Sequence, residues 1–370
     1  MSAGLPGVKE LAGAAPGLLR GVLGGTPAEI LALFAGQVLD AARRDLRLQW
    51  PPHVAGALAP VLLPQQALVT EGICEGVTAH VDCLTTQAGV SWASFKGLPV
   101  GVQVVGPSGV HTFPLIVDEI SQGQSDGTLT VVRLTCRDAL SYFDRRRRLR
   151  VFRDRSAAEV VSEILQEWRT DTPLGACFDF HWRGVDRSRF PTRACFIQHP
   201  GESDGAFVRR LLRGLGVAWF WRPKAATGPT ALPLQELVLF TDPGMLAVNE
   251  TASMPFHQRG IDPTTPEVID ELARTWRVVP ASSDLHSWDF KAARLDTMTG
   301  LTGLDQGQAG NDLAHALREA RVVDPHLGDD WNDLASLARL QADSHAFREN
   351  RFDGRSSVRS LAAGTVHAVT

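Results

Sequence analysis

The chain has 370 residues, 44% of them hydrophobic and 21% charged, with 34 Gly and 22 Pro. At roughly 100–200 residues per domain this is two or three domains with ample core, and the balance argues against disorder, collagen and coiled coil. The 37 basic residues, all but four of them Arg, face 41 acidic ones for a net charge of −4. No basic excess is left to neutralise phosphates, which argues against a dedicated nucleic-acid binder.

Five cysteines, an odd number running from Cys74 to Cys195, read as free thiols of a reducing compartment. No apolar window reaches the roughly 18 residues of a membrane span, and a signal-peptide pattern is lacking at the start. A cytoplasmic beginning without a membrane span is therefore expected. A loose N-terminal region of 1–45 holds one short helix at Ala15–Leu23 and a longer one from Thr26. There Thr26-Pro-Ala-Glu29 sets a capping box with Pro in the first turn. Ile30, Phe34 and Val38 then recur at helical spacing, and Arg43-Arg44 suit the negative end of the dipole.

From Leu46 the period changes. Leu46–Trp50, Val61–Val69, Gly76–Leu84, Val100–Val105, His111–Ile120 and Thr128–Cys136 read as successive strands, the last two joined through the turn-rich Ser121–Gly127. Strands without intervening helices predict an antiparallel barrel or sandwich over 46–148. The run Arg145–Arg148 reads as a solvated or ion-paired edge. The next segment, 149–235, is mixed. Ser156-Ala-Ala-Glu159 is a capping box before the stripe Val160, Val161, Ile164, Leu165 and Trp168, predicting a helix over 156–169. Arg193–His199 is a strand, Ser203–Arg213 a helix halted by Gly214 and Gly216, and Val217–Trp221 and Leu234–Thr241 are strands. In 236–370 the predicted strands are Arg274–Val279, Ser287–Ala293 and Val358–Val369, with a helix at Trp331–Phe347 and an irregular stretch at 295–330.

Two patterns invite chemistry. Gly201-Glu-Ser-Asp-Gly205 spells G-x-S-x-G between a strand and a helix, the setting of a nucleophile elbow. A hydrolase built on Ser203 needs a preceding parallel sheet and a downstream acid and His, for which Asp242 with His257 or Asp284 with His286 are available. The sequence before it offers hairpins, and Ser203 reads better as a helix cap with Asp204 at the positive end of the dipole. Cys177-x-x-x-His181 and Cys195-x-x-x-His199 share one spacing. Residues four apart in a strand are separated by roughly 13 Å, so only pairing across two strands lets the four converge on zinc. Buried thiols and surface imidazoles are the expectation. Trp219 and Trp221 read as core or rim residues.

The most specific stretch is 198–221. Gln198, Glu202, Ser203 and Asp204, then Phe207, Val208, Arg210, Leu211 and Gly216, with aromatics from Trp219 to Trp221, resemble the Q-Y-x-E-S-D-x-x-F-V-x-R-L-x-x-x-x-G-I-x-[FYW] signature of VgrG proteins. These are the spike proteins of type VI secretion systems, similar in their N-terminal part to the hub of contractile phage tails. Gly97–Gln103, Ser125–Leu134, Val151–Leu165, Ser287–Lys291 and Arg359–Gly364 follow the same family in order. His199 replaces the family's Tyr, and Pro200-Gly201 lengthens that corner by one residue.

The resemblance implies an α+β, β-rich fold with two related antiparallel β-barrel-like tube domains, 46–148 and 236–370, the second with an inserted helix, flanking the α/β segment. It implies a homotrimer that docks on the Hcp tube, meets baseplate proteins, carries an effector or tip protein and is exported by contractile injection. It implies no catalytic residue, cofactor or metal, and gives the 198–221 motif a structural role. The alternatives are the Ser203 hydrolase and a prophage tail hub.

Overall fold

Alternating apolar and polar residues organise the first strands into one sheet. In β3 (Gly76–Thr85), Val77, Ala79, Val81 and Cys83 point inward while Thr78, His80 and Asp82 point away, the two-residue period of a half-buried strand. With β1 (Leu46–Gln49), β2 (Leu63–Gly72), β4 (Pro99–Gly106), β5 (Gly109–Ser125) and β6 (Thr130–Arg137), it forms a six-stranded sheet of order β1-β4-β5-β6-β3-β2. Every pairing in it is antiparallel. The sheet curls into a half-barrel over Val100, Val102, Leu115, Val117, Val132, Leu134 and Phe95, all at most 2% exposed. At about 1.5–3 kcal/mol for each buried side chain of this size, this is a substantial core.

The computed structural model describes residues 44–54, 61–87, 89–107, 109–125, 129–225, 232–256, 267–289, 292–323 and 331–369. The helices expected at Ala15–Leu23 and from Thr26 to Arg44 fall outside these residues, apart from Arg44 itself.

The chain divides into two compact units. The first holds the six-stranded sheet and, after it, α1 (Leu140–Phe143), β7 (Arg150–Ser156), α2 (Ala157–Asp171), β8 (Phe178–Trp182) and β9 (Thr192–Gln198). The start of α3 (Asp204–Leu215) follows, with most of β10 (Ala218–Lys224) and then β11 (Leu234–Phe240). The helix α2 begins as expected. Ser156 Oγ accepts from Glu159 N at 3.3 Å, and Glu159 returns a bond to Ser156 N at 2.7 Å. Its stripe from Ala157 to Trp168 is buried. β7 and β9 pair antiparallel. β11 runs parallel to β8 in a sheet of order β10-β11-β8, which gives this segment its α/β character.

The second unit contains β12 (Ala247–Met254), β13 (Ile269–Trp276), β14 (Ser282–Asp289), β15 (Arg294–Leu301), α4 (Gln308–Ala316) and β16 (Glu319–Val322). It continues with α5 (Trp331–Glu349), β17 (Asn350–Ser356) and β18 (Thr365–Val369). The β-rich α+β class is as expected, but the detail of this half differs. Its strands form three small sheets, β12-β18, β13-β17 and β15-β14-β16, and two pairings, β12 with β18 and β14 with β16, are parallel. The stretch 295–330, expected to be irregular, contains β15, α4 and β16. The strand expected at Ser287–Ala293 starts earlier, at Ser282, and of Val358–Val369 only Thr365–Val369 is extended. These strands are rich in Asp, Arg, Thr and Gly, residues of low strand preference apart from Thr, so pairing rather than local propensity forms them.

Candidate functional site

The resemblance motif lies where β9 turns into α3. Gln198, the last residue of β9, is fully buried, as is Asp204, the first of α3. Gly201 takes a left-handed φ of +82°, which lets the inserted Pro200-Gly201 turn the chain without strain. His199 N donates to Glu202 Oε2 at 3.0 Å and Glu202 N to His199 O at 2.9 Å, closing the corner.

Asp204 is the centre of the site. Its Oδ2 accepts from Arg146 Nε at 2.6 Å and Trp168 Nε1 at 3.0 Å, and its Oδ1 from Arg150 Nη2 at 2.8 Å and Gln198 Nε2 at 2.9 Å. Four donors saturate the lone-pair sites of one carboxylate. Gln198 is oriented in turn by Arg150 Nε on its Oε1 at 2.9 Å and by donating to Glu202 O at 3.1 Å. Glu167, near the end of α2, binds Arg146, Arg148 and Arg150 at 2.6–2.9 Å. The Arg146 guanidinium also lies 4.0 Å over the Trp168 ring, whose other neighbour is Phe143, stacked at 4.3 Å. Burial pushes the Asp204 carboxyl upward. The bonds from Gln198 and Arg146 and the charges of Arg150 and Arg146 outweigh it and hold the group below its ordinary value.

Three members of the arginine run are ion-paired, Arg145 to Asp118 at 2.6 Å, Arg146 to Asp204 and Glu167, and Arg148 to Glu167, while Arg147 donates to the Gly201 carbonyl. The ion-paired reading of that run is what the structure contains. The part played by Arg150, Glu167 and Trp168 was not legible beforehand, because residues 36 and 54 positions from Asp204 meet only through the fold.

Ser203, 5% exposed, caps α3. Its Oγ accepts from Ala206 N at 3.1 Å and donates to Asp144 Oδ1 at 3.2 Å. Among the described residues no imidazole bonds to it. The sheet behind it, β7-β9, is antiparallel and lacks the parallel strands of a nucleophile elbow. Of the downstream pairs, His257 lies outside the described residues. His286 instead meets Thr297 at 3.0 Å, while Asp284 is bound by Thr299 and Arg318.

Phe207, Val208, Leu211 and Leu212 form the buried stripe of α3, with Phe207 stacked on Phe152 at 5.9 Å. Arg210 is half-buried on the same helix. Gly216 ends the helix at φ +65°; a Cβ there would lie 2.5 Å from Leu340 Cδ2. Trp219 and Trp221 are buried. The cysteine–histidine pairs do not converge: Cys177 and His181 belong with β8 and Cys195 and His199 with β9, strands of different sheets. Cys177 is buried, Cys195 half-buried, and both histidines are exposed. Among the described residues no three His, Cys, Asp or Glu side chains are grouped to hold a metal.

The arrangement is a clasp that locks α1, β7, α2, β9 and α3 together through one buried aspartate. A family model described as the phage tail baseplate hub (GPD) matches residues 70–370, the clasp included. The chain belongs to that family. The hub motif read from 198–221 therefore sits in a hub-family chain, as the resemblance implied.

Among solved structures, the chain is similar to the E. coli c3393 protein, described as a component of the type VI secretion system with structural similarity to the T4 bacteriophage tail proteins gp27 and gp5. Identity is 14% and the TM-score 0.44, covering 59% of this chain and 55% of that one. It is similar to the tail protein from Neisseria meningitidis MC58, at 10% identity and TM-score 0.49 over 77% and 73% of the two chains. A third is the 43 kDa tail protein of prophage MuSo2 from Shewanella oneidensis, at 13% identity and TM-score 0.48 over 84% and 88%. The chain spans 55% of the length of the first of these. No curated protein matches the sequence.

Proposed function

We propose that this chain is a non-enzymatic structural subunit of a contractile injection device of the type VI secretion kind. Three copies close into a ring, dock on the Hcp tube, meet the baseplate and carry an effector or tip protein; the protein is made in the cytoplasm and leaves through the device it caps. The observation that carries this reading is the hub-family match over 70–370. The clasp supports it, because every polar group of the motif is engaged in holding the fold together rather than presented to a substrate. A trimer with two β regions per subunit offers a threefold assembly the six quasi-equivalent contacts that a sixfold tube requires.

A prophage tail hub is the second reading, and the same family match supports it. Co-sedimentation with assembled Hcp tubes separates the two. Binding that saturates at one trimer per tube end supports the secretion device, and binding to a phage tail tube but not to Hcp supports the prophage. Light scattering that finds a strict monomer at every concentration overturns both.

A further inference from the structure

The β7–β9 ribbon has one face that the clasp uses and one that it does not. Arg150, Phe152, Phe196 and Gln198 share the inner face: Phe152 stacks on Phe207, Phe196 is buried, and Arg150 and Gln198 meet Asp204. Alternation sends Val151, Arg153 and Arg155 to the other face. There the register sets Val151 opposite Ile197, Arg153 opposite Cys195 and Arg155 opposite Arg193. This outer face has an apolar end, with Val151 52% and Ile197 42% exposed and Leu149, just ahead of β7, at 68%. Its other end is basic.

The 3₁₀ turn Arg187–Arg189 extends the basic end. Arg155 and Arg187 converge on one carboxylate, Glu159, which is held below its ordinary value first by the Ser156 backbone and side-chain bonds and then by these two charges. Glu159 is committed to the cap of α2, and Asp186 to Ser188, whose N and Oγ donate to it at 3.0 and 2.6 Å. Among the described residues no carboxylate forms an ion pair with Arg153, Arg155, Arg187 or Arg189, and all four side chains are exposed. In a chain of net charge −4 these guanidiniums gather in one place. Arg155 and Arg193 face each other across the strands, a pairing of like charges that weakens a ribbon.

We propose that this face binds an acidic segment of a partner protein, its carboxylates on the arginine end and its aliphatic side chains on Leu149, Val151 and Ile197. A guanidinium presents a planar fork of donors that a carboxylate matches with two parallel bonds, and a carboxylate laid across Arg155 and Arg193 relieves their repulsion. The apolar end sets the class of partner. Single-stranded nucleic acids are gripped by aromatic faces that stack on bases, whereas the rings of this ribbon, Phe152 and Phe196, belong to its inner face. Faces that enter a membrane surface set Trp, Phe and Leu along an amphipathic helix, whereas here the apolar end is a cross-strand Val–Ile pair beside one Leu. β7 is 7 residues long and spans roughly 20 Å, so a partner segment of similar length covers both ends. The surface takes such a segment whatever assembly the chain joins, so the hub reading is not needed for it.

The test is fluorescence anisotropy of the full chain with a labelled extended peptide, Val-Ser-Val-Ser-Glu-Ser-Glu-Ser, and with its counterpart carrying Lys in place of Glu. The unaltered chain is expected to bind the Glu peptide at low salt, less tightly as salt screens the charges, and not the Lys peptide. Arg153→Glu with Arg155→Glu should weaken the Glu peptide about tenfold or more and gain binding of the Lys peptide, an exchange that loss of folding does not produce. Val151→Ser with Ile197→Ser should weaken the Glu peptide to a smaller degree. Arg339→Glu, at an 85% exposed side chain on α5, should leave it unchanged.

Three results overturn the proposal: no binding of the Glu peptide by the unaltered chain at low salt, equal binding by the charge-reversed variant, or tighter binding of single-stranded DNA or of anionic lipid vesicles through the same arginines. None of them bears on whether copies of the chain associate or dock on a tube. Should the β7 variant fail to fold by near-ultraviolet circular dichroism, Arg187→Glu with Arg189→Glu takes its place, since it alters a turn outside the ribbon, and the same outcomes decide.

Discussion

Removing the carboxylate at Asp204 is expected to destabilise the first unit more than any other single polar change, because it leaves the Arg146 and Arg150 guanidiniums to share Glu167 as their remaining carboxylate and strips the buried Trp168 and Gln198 donors of their acceptor. Breaking a fully buried ion pair costs about 3–5 kcal/mol. The side chains of Arg146 and Arg150 retain 20% and 18% exposure, so about 2–3 kcal/mol is expected for Asp204→Asn in urea unfolding. The same group predicts an acid limb. Its folded pKa is depressed, so its contribution is complete above the unfolded aspartate value of about 3.9 and is lost as pH falls through the lower folded value. The unaltered protein should lose stability below about pH 4 more steeply than the Asn variant; parallel acid limbs would remove Asp204 from this role.

Ser203→Ala should cost only about 1 kcal/mol, the worth of a helix cap. Ser203 should resist fluorophosphonate labelling, and covalent labelling at that residue would restore the hydrolase. At Gly216 both the left-handed φ and the approach to Leu340 oppose a side chain, and Gly216→Ala is expected to lower stability by about 1–2 kcal/mol.

At the scale of elements, the cysteines report on the curled sheet. Cys83 of β3 and Cys136 of β6 face its interior and Cys177 is buried, whereas Cys74, between β2 and β3, is exposed. Burial pushes the Cys136 thiol up to about 12 and the Cys177 thiol up to about 11, and it raises Cys83 as well. Since the thiolate is the reactive form, a disulfide reagent at pH 8 should label Cys74 first, Cys195 more slowly, and the remaining three only on unfolding. Rapid reaction of Cys83 or Cys136 in the native protein would show that the sheet opens.

The elements that the sequence announced are those whose local pattern and burial agree. The alternation in 76–84, the capping box at Ser156 and the stripe of α3 each specify one structure. β8, β12 and β17 carried no such pattern, and β17, with its sequence Asn-Arg-Phe-Asp-Gly-Arg-Ser, reads as a loop until β13 pairs with it. The clasp was legible by half. Gln198, Glu202, Ser203 and Asp204 are adjacent in the chain, whereas Arg150, Glu167 and Trp168 join them only through tertiary structure.

For the whole molecule, the distribution of buried apolar surface predicts unequal stability. The first unit buries the interior of a six-stranded sheet and the stripe of α2. Among the described residues the second holds, beside the buried end of α3, one cluster of Met254, Ile269 and Val358 and another of Leu285, Leu334 and Ala338 with Met298, Val323 and Leu337 around it. It also exposes Phe347 at 85% and Trp331 at 63%. A unit with so little of its own core opens at lower free energy than its neighbour, so calorimetry should resolve two transitions and the chain should not unfold as one cooperative block.

Association of copies into the proposed ring adds a further signature. A partner that binds only the folded form stabilises by mass action, by about 1.4 kcal/mol for each tenfold excess over the dissociation constant. The lower transition should therefore move upward as protein concentration rises while the upper one stays in place. Asp204→Asn should do the reverse, lowering the upper transition and leaving the concentration-dependent one alone. A single transition, or two that ignore concentration, would mean that the second unit is stable without a neighbour.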